Sequence, residues 1–413
     1  MNKLLVHICC GVDAVYALRK LKEDYPDAHM EGYFYDPNIH PEEEYLLRWI
    51  ETERVCNQMG IKCHLAPYEL DRWLEAVKGL ENEPERGARC TVCHDIRLEK
   101  TAQFAKEKGF DSITTVLMMS PKKDFNVLKT VGEQVADKYG LKFLATDFRK
   151  NGGIEKMNRL SKEAQLYHQN YCGCMYALFQ QRKGEFIPEL VSFGKGRLPG
   201  SREEKLFIKR IRLYAESLGL PCFEQSFNFV NWRLISSVLK INKAPVTHTV
   251  LWFSKSIKGI LRDRVEEIIE ENDKTVISLK KSLAKIWVLK THLKEIPLDF
   301  PRFTTEPILI VGGDLKRELK LDTKIEIQLK TQFDENGVSQ NLIIGDKEAE
   351  STIEFYSDTL SDGSGGMEIE EVFSELSKNR NTILAGEVKV IVYGARTAGN
   401  IGKLYFKNSF INV

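Results

Sequence analysis

The sequence predicts an α/β protein: a parallel, doubly wound sheet, then a helical segment, then a β-rich C-terminal domain. Three observations support this. Short apolar strands alternate with helical segments over roughly the first 145 residues. The chain has 413 residues, too many for one compact core. Beyond Pro301, β-prone runs are separated by turn residues. Alternation of strands and helices is typical of a parallel sheet, here of the Rossmann-like (HUP) kind.

The elements of the sheet follow from local pattern. Short apolar or β-branched runs predict strands at 3–8, 30–35, 61–66, 112–118 and 142–145. Amphipathic stretches predict helices around 14–18, at 42–59 and 71–78, from near 94, and at 128–139. Ligands of such sheets lie beyond the carboxyl ends of the strands. Cys9 and Cys10 directly follow the first strand, so we expect them at the site.

The rest of the chain predicts further elements and two boundaries. A helix from about 161 to 183 is expected to carry Cys172 and Cys174, and glycine-rich 194–200 is expected to be a joint. Three domains follow from this: 1–195, a basic and mainly helical 196–300, and β-rich 301–413. Helices are predicted at 202–218 and 258–272, with 275–290 helical or mixed. Strands are predicted at 308–311, 324–331, 340–344, 351–356 and 387–393, with a turn at 334–337 and a flexible loop at 362–366.

The composition describes a globular protein whose charges nearly balance. Apolar residues make up 42% and charged residues 29%, and the formal charge is +1. Residues 201–300 hold 18 basic and 12 acidic residues, which indicates either a nucleic-acid contact or a solvated helical face. His7 interrupts the apolar start, so no signal peptide is expected. No apolar run reaches the length of a membrane span. We therefore expect a cytoplasmic protein without membrane contact.

Six of the nine cysteines form three short pairs: Cys9-Cys10, Cys90-x-x-Cys93 and Cys172-x-Cys174. Cysteines that only fill a core have no reason to be paired. Cytoplasmic thiols stay reduced, so pairs there indicate metal binding or thiol redox chemistry. The other three cysteines are interpreted as ordinary core or surface residues.

The first two pairs together supply four thiolates, enough for tetrahedral zinc or an iron–sulfur cluster. The side chains of adjacent cysteines diverge, which favours the larger cluster, although zinc stays open. A thioredoxin-like redox pair is a third reading of Cys90 and Cys93, but Gly87-Ala88-Arg89 does not resemble a strand. Cys172 and Cys174 are interpreted as a reversible dithiol, since Gly173 supplies backbone freedom. A third ligand pair or two unrelated cysteines are the alternatives.

Residues 3–183 contain several distinctive blocks in a fixed order, at His7–Asp13, Gly32–Pro41, Arg89–Leu98, Ser120–Lys122 and Tyr171–Cys174. In these blocks the chain resembles the QueH family of epoxyqueuosine reductases. It implies reduction of epoxyqueuosine to queuosine at the wobble position of tRNA, with an external electron donor. Val12, Asp36 and His94 depart from the family's usual residues, and none of these departures removes a ligand. The chain beyond about residue 195 is outside the resemblance.

Carried over by position, the resemblance assigns roles to seven residues. Cys9, Cys10, Cys90 and Cys93 would hold a [4Fe–4S] cluster. Cys172 and Cys174 would form the redox-active disulfide, and Asp13 would bind an additional metal ion or donate a proton. His7 is a second proton-donor candidate or a structural histidine.

Two other functions fit the residues less well. Cys-Cys-Gly-Val-Asp shares a Gly-x-Asp element with pyrophosphatase-type loops, which would indicate an ATP-dependent tRNA-modifying or amidotransferase-assisting enzyme. It lacks the glycine and serine content that cradles pyrophosphate. The second is a zinc-stapled tRNA-binding adaptor. Iron and sulfide analysis after anaerobic purification separates these readings.

Overall fold

The structure is a computed structural model that describes residues 2–182, 187, 200–251, 254–290, 306–357 and 367–394. Within these, only the backbone is described at 227–233 and 333–337. The chain divides into two compact units, Met1–Ser192 and Phe193–Val413, where the sequence predicted three domains. Most of the predicted joint, 194–199, and the predicted loop at 362–366 lie outside the described residues.

The first unit is built on a five-stranded parallel sheet, which confirms the predicted doubly wound fold. Its strands run in the order β3-β2-β1-β4-β5, and every pair is parallel. They are β1 (Lys3–Ile8), β2 (His29–Phe34), β3 (Lys62–Leu65), β4 (Ser112–Thr115) and β5 (Lys142–Phe143). The order reverses between β1 and β4, so a crevice opens at the carboxyl ends of these two strands.

Seven helices of the described residues cover this sheet. They are α1 (Gly11–Asp24), α2 (Glu42–Gln58), α3 (Leu70–Ala76), α4 (Ala88–Lys108), α5 (Phe125–Tyr139), α6 (Gly153–Glu163) and α7 (Met175–Arg182). Because helices cover both faces, β1 is an almost continuous apolar run. Leu4, Val6 and Ile8 pack into one core cluster, and Leu5 packs into another. The period of two along a strand sends alternate side chains to opposite faces.

Two predicted boundaries in this unit were wrong, and both concern cysteines. Helix α4 begins at Ala88, not near His94, so Cys90 and Cys93 lie in its first turns. The predicted helix at 161–183 is interrupted, since α6 ends at Glu163 and α7 begins at Met175. Cys172 and Cys174 therefore lie in a loop. Two residues of the interruption have backbone angles incompatible with a right-handed helix, Gln165 just after α6 (φ 52°) and Gly173 between the two cysteines (φ 105°).

The second unit is dominated by strands. Among its described residues the helices are α8 (Arg202–Ser217), α9 (Ile369–Lys378) and α10 (Arg380–Leu384). The strands are β6 (Cys222–Ile241), β7 (Ala244–Pro245), β8 (Thr249–Val250), β9 (Leu261–Glu270), β10 (Lys274–Leu279), β11 (Lys285–Leu289), β12 (Ile308–Val311), β13 (Lys324–Ile344), β14 (Ser351–Tyr356) and β15 (Val388–Tyr393). The main path of the sheet is β14-β15-β13-β9-β10-β11-β12-β8, and β6 pairs with β13 and β7.

The β-rich C-terminal part is confirmed, and the helical segment shrinks to α8. The predicted helix at 258–272 is strand β9, which pairs with both β10 and β13. Along β9, buried Asp263 and Val265 alternate with exposed Arg262 and Arg264, the period of a strand. The charged residues that indicated a helix are thus the outward positions of a sheet. The predicted turn at 334–337 is a register shift within β13.

One buried ion-pair cluster joins α8 to β6. Glu224 accepts hydrogen bonds from Lys209 (2.8 Å) and Arg212 (2.7 Å), and all three side chains are buried. Burial raises the pKa of Glu224, but the two cations outweigh it and hold that pKa below its usual value.

None of the helices in the described ranges is long and apolar enough to cross a bilayer.

Candidate active site

The candidate site is a cavity of about 210 Å³ in the first unit. It lies where the sheet order reverses, beside the segments that follow β1 and β4. Five of the six paired cysteines line it: Cys9, Cys90, Cys93, Cys172 and Cys174. The sixth, Cys10, places its Sγ 4.0 Å from that of Cys9. Three sequence segments far apart in the chain therefore bring their cysteines to one place.

Cys9, Cys10 and Asp13 form the tightest group of potential metal ligands. Their ligand atoms all lie within 4.8 Å of one another. Cys10 is the N-cap of α1, and its sulfur accepts the Asp13 N–H at 3.4 Å. This cap turns the chain so that Asp13 Oδ2 lies 3.5 Å from Cys9 Sγ. The strand-to-helix step after β1 thus gathers three donors that the sequence shows only as neighbours.

The electrostatics of this group reflect close, buried donors. The hydrogen bond to Cys10, together with burial, raises the pKa of the Cys9 thiol. Burial also raises the pKa of Asp13 to about 6, although its hydrogen bonds with Cys9 and Cys10 oppose the shift. Gln169 adds a further contact, since its Nε2 donates to Cys10 Sγ at 3.1 Å. A thiol with a raised pKa stays protonated until a cation binds beside it. This behaviour is expected of a cysteine in a metal-binding pocket.

Cys90 and Cys93 face the same cavity from α4. The Arg86 N–H donates to Cys90 Sγ at 3.2 Å, so the loop before the helix already contacts this sulfur. Burial raises the pKa of Cys93. Neither cysteine belongs to the compact group at Cys9, so the four sulfurs are not all within 4.8 Å of one another. Tetrahedral zinc, with Zn–S bonds of about 2.3 Å, would need sulfurs roughly 3.8 Å apart. The wider arrangement suits a larger metal group.

The third pair lies on the loop before α7, where Gly173 is packed tightly. A Cβ at this position would lie 2.6 Å from Ile39 Cγ1 and 3.2 Å from Asn38 Nδ2. The Gly173 carbonyl accepts the His40 N–H at 3.1 Å. Both the positive φ and the close packing require glycine here. Cys172 and Cys174 are thereby held on either side of a fixed backbone step.

Arg48 is a residue of the candidate site that the sequence did not reveal. Its side chain is 3% exposed and donates to the carbonyls of Tyr171 (3.0 Å) and Cys172 (3.1 Å). Glu44, one helical turn earlier on α2, accepts from its Nε at 2.8 Å. Asn38 Nδ2 donates to the same Cys172 carbonyl at 3.3 Å. Without its partners, an arginine inside an amphipathic helix looks like an ordinary surface residue, and only the fold shows it holding the cysteine loop.

The two cysteines of this loop differ in their protonation. The hydrogen bond from Cys174, reinforced by Lys123 and Arg48, lowers the pKa of Cys172 to about 5. The same hydrogen bond raises the pKa of Cys174. The surroundings therefore favour the thiolate on Cys172 and the protonated thiol on Cys174. A thiolate beside a protonated thiol is the arrangement used in thiol redox chemistry.

A buried charge network lies beneath the cavity. Arg97 pairs with Asp36 at 2.7 Å and also donates to Asn38. Burial raises the pKa of Asp36 to about 6, and Arg97 opposes that shift. His7 contacts Thr115 (2.8 Å) and the Tyr35 carbonyl (3.1 Å) and is fully buried. Burial lowers the pKa of His7 to about 3, which favours its neutral form.

The cavity wall contains buried polar atoms that lack a hydrogen-bond partner in the described part of the chain. They are His94 Nδ1, Gln169 Oε1, and Nε and Nη2 of Arg89, and all three residues line the cavity. A buried polar group without a partner is costly in a native protein. In the wall of the cysteine-lined cavity, these atoms can form hydrogen bonds with a ligand that binds there.

Comparison with known proteins agrees with this geometry. The family described as "Epoxyqueuosine reductase QueH" matches residues 4–180. A relative named "Epoxyqueuosine reductase QueH" from Helicobacter pylori is 32% identical over 367 residues, covering 81% of this chain and 99% of its own. Its match therefore extends into the second unit. A relative of the same name from Thermotoga maritima is 35% identical over 186 residues, 44% of this chain and 94% of its own.

Solved structures add little. The zinc aminopeptidase BSAP from Bacillus subtilis reaches a TM-score of 0.35 at 15% identity, covering 50% of this chain and 59% of its own. A likeness this weak does not bear on the site. The extent and identity of the QueH relatives, in contrast, are decisive. The chain belongs to the QueH family of epoxyqueuosine reductases and is an oxidoreductase.

Proposed function

We propose that this chain reduces epoxyqueuosine to queuosine at the wobble position of tRNA, the last step in making that base. One observation carries the proposal: a single cavity at the sheet's switch point gathers three cysteine pairs that are up to about 160 residues apart in the chain. The named relatives support the substrate. Substrate tRNA and an external electron donor are the partners that this reaction requires.

Four cysteines are proposed to hold a [4Fe–4S] cluster: Cys9, Cys10, Cys90 and Cys93. The donor set fits, because thiolates are the ligands of such clusters and the spacing of these four sulfurs exceeds that of a single tetrahedral ion. Asp13 adds a carboxylate oxygen beside Cys9 and is proposed to donate a proton or to bind an additional metal ion. A bound cluster would pass on electrons one at a time and would offer a Lewis-acidic site for the epoxide oxygen, without being a net source of electrons.

Residues of the chain are proposed to supply the electrons and protons of the reduction. Removing the epoxide oxygen as water consumes two electrons and two protons. Oxidation of Cys172 and Cys174 to a disulfide supplies both electrons, and the Cys174 thiol supplies one proton. Asp13 supplies the other proton. Lys123, which is largely withdrawn from solvent, holds positive charge beside the Cys172 thiolate until the external donor reduces the disulfide again.

The test is anaerobic purification followed by iron and sulfide analysis and an assay of epoxyqueuosine reduction in tRNA. Wild type is expected to contain the cluster and to be active. Cys90→Ser is expected to lose the iron and the activity, whereas Cys174→Ser keeps the iron and loses only turnover. Cys222→Ser, an isolated half-buried cysteine of the second unit, is the matched control and should behave as wild type.

Two results would contradict the proposal. A colourless, zinc-loaded wild type without reductase activity would exclude the cluster. Reduction that proceeds unchanged in Cys174→Ser would exclude the dithiol while leaving the family assignment intact.

A further inference from the structure

We infer that the second unit carries a binding surface for the RNA backbone of its substrate, which rests on the proposed function. The surface, called here the basic groove, is a cavity of about 760 Å³ beside β6, β9 and β13. Seven basic and three acidic side chains line it, so its lining groups carry a net charge of +4. The chain as a whole has a formal charge of only +1, so this is a local concentration of positive charge.

The strand register places two of the cations that line the groove directly opposite each other. Lys324, the first residue of β13, pairs directly opposite Arg264 of β9, and both side chains are exposed. Directly opposite residues of paired strands lie on the same face, and like charges there are destabilising. An anion bound between them would offset this cost. The pairing is therefore easier to explain by a ligand than by stability.

Some of the lining cations are already neutralised within the protein. Glu326 accepts from Lys240 at 2.7 Å and from Arg262 at 3.0 Å, and Asp322 pairs with Lys280 at 2.7 Å. These pairs are exposed or half-buried, so they contribute little to stability.

Four other cations of the groove make no ion pair within 4.0 Å in the part of the chain that the structure describes. They are Lys243, Arg264, Lys281 and Lys324, and all four are exposed. Lys243 lies in the turn between β6 and β7 with a φ of 73°. A long side chain in the left-handed region is uncommon and is tolerated here by a tight hairpin. The turn places this lysine at the rim of the groove.

Asp263 fixes the backbone that carries two of these four cations. It is 7% exposed, and its carboxylate accepts the backbone N–H groups of Arg264 (2.8 Å) and Lys281 (2.9 Å). Its negative charge is thus satisfied by the main chain and ties β9 to the turn after β10. The two basic side chains are presented from a rigid base, which lowers the entropy lost when an anion binds.

The shape and chemistry of the groove fit an extended polyanion better than a small molecule. Small-molecule sites are mostly apolar and use a few converging buried polar groups. Here Ile325 is the one apolar side chain among the lining residues, and the cations are long, exposed and spread over three strands and two turns. Such a footprint neutralises successive phosphates without reading bases. RNA is the polyanion on which the proposed function acts.

The test compares binding of full-length substrate tRNA to the full chain over a range of salt concentrations. Arg264→Gln, Lys281→Gln and Lys324→Gln are combined in one variant. The matched control combines Arg210→Gln, Lys255→Gln and Lys330→Gln, three exposed cations of the same unit outside the groove. We expect the groove variant to raise the Kd about tenfold or more near 0.1 M salt. Its salt slope should fall by roughly three, one for each lost phosphate contact.

A second measurement avoids variants and therefore any question of folding. Lysine acetylation of wild type is followed by mass spectrometry with and without tRNA. Lys243, Lys281 and Lys324 are expected to be protected by tRNA, whereas Lys255 and Lys330 are expected to react equally in both samples. The inference would be overturned if each of the five lysines reacted equally with and without tRNA. It would also be overturned if the groove variant had the same Kd and salt slope as wild type.

Two further arms separate the alternatives. In the first, wild type and the groove variant are tested for binding to vesicles of phosphatidylglycerol and phosphatidylcholine. If the groove variant loses vesicle binding but still binds tRNA as wild type does, the groove binds a membrane surface and the RNA inference is rejected. Wild-type reduction of epoxyqueuosine in tRNA tests the proposed function on its own. If wild type is active but the groove variant binds tRNA normally, the groove inference fails alone. If wild type is inactive but tRNA still protects the groove lysines from acetylation, the proposed function fails alone.

Discussion

Replacing Arg48 is the sharpest test of how the fold controls the Cys172–Cys174 loop. Arg48→Met removes both hydrogen bonds to the loop carbonyls and a positive charge beside the Cys172 thiolate. It leaves the Glu44 carboxylate, which is 0% exposed, without its arginine. Arg48→Lys keeps the charge and loses the planar fork that reaches two carbonyls at once. The two variants therefore separate charge from geometry.

The magnitudes follow from these contacts. Removing one partner of a buried ion pair costs about 3–5 kcal/mol, so Arg48→Met should lose that much free energy of unfolding. Adding Glu44→Gln should recover part of it, since no uncompensated charge then stays buried. Loss of the cation should raise the pKa of Cys172 above its value of about 5. Each unit of that rise destabilises the reduced thiolate by about 1.4 kcal/mol and lowers the midpoint potential of the pair by about 30 mV.

The assay measures the rate of Cys172 alkylation against pH, by mass spectrometry, and the midpoint potential in glutathione buffers. Arg54→Met is the matched control on the same helix. Arg54 is equally buried and pairs with Glu51, and it donates to the carbonyl of Ala164 at 2.7 Å, eight residues before Cys172 in the chain. It should lose stability without moving the alkylation profile or the potential.

One result would refute this reasoning. If Arg48→Met and Arg54→Met lose similar stability and neither changes the pH profile or the potential, Arg48 only stabilises the fold. A profile that shifts in Arg48→Met and not in Arg48→Lys would assign the effect to charge. A shift in both would assign it to the geometry of the fork.

Three further outcomes are expected. Gly173→Ala should cost more free energy of unfolding than Gly219→Ala, because both have positive φ but only Gly173 has neighbours within 4 Å of an added Cβ; urea unfolding of the two variants decides. Glu224→Gln should lose about 3–5 kcal/mol at pH 7. The pKa of Glu224 in the folded protein lies below the usual 4.5, so the difference in free energy of unfolding between wild type and Glu224→Gln is complete above pH 4.5. This difference shrinks as the pH falls through the lowered pKa. Unfolding at pH 7 and at pH 3.5 measures it, and an equal difference at both pH values would contradict the prediction. Gln169→Leu removes a donor to Cys10 Sγ and should make the potential of the proposed cluster more negative in a redox titration followed by electron paramagnetic resonance; an unchanged potential would contradict this.

Much of the first unit's fold was predictable because its signals are local. Strand β1 is a short apolar run ended by Cys-Cys-Gly, and α2 has a long amphipathic pattern, so each element can be recognised alone. The errors arose where context decides. A loop that contains Gly173 at φ 105° replaces the helix expected around Cys172. The charged stretch at 258–272 is a strand because the neighbouring strands β10 and β13 supply its hydrogen bonds.

The candidate site was predictable for the residues with distinctive chemistry and not for those that position them. Paired cysteines stand out in any sequence, and the family resemblance assigned them roles. Arg48, Asn38 and Lys123 do not stand out, because arginine, asparagine and lysine are common on surfaces. Their roles follow only from burial and from which backbone atoms they reach.

The sequence by itself determined the order of the elements, the presence of three cysteine pairs and the family of the catalytic unit. These depend on local patterns and on side-chain chemistry, both of which are written along the chain. The tertiary structure alone decided that the three pairs meet at one cavity and that the surroundings of Cys172 favour its thiolate. It also decided that Lys324 lies opposite Arg264 in the basic groove. These properties depend on distances and burial between residues that are remote in sequence.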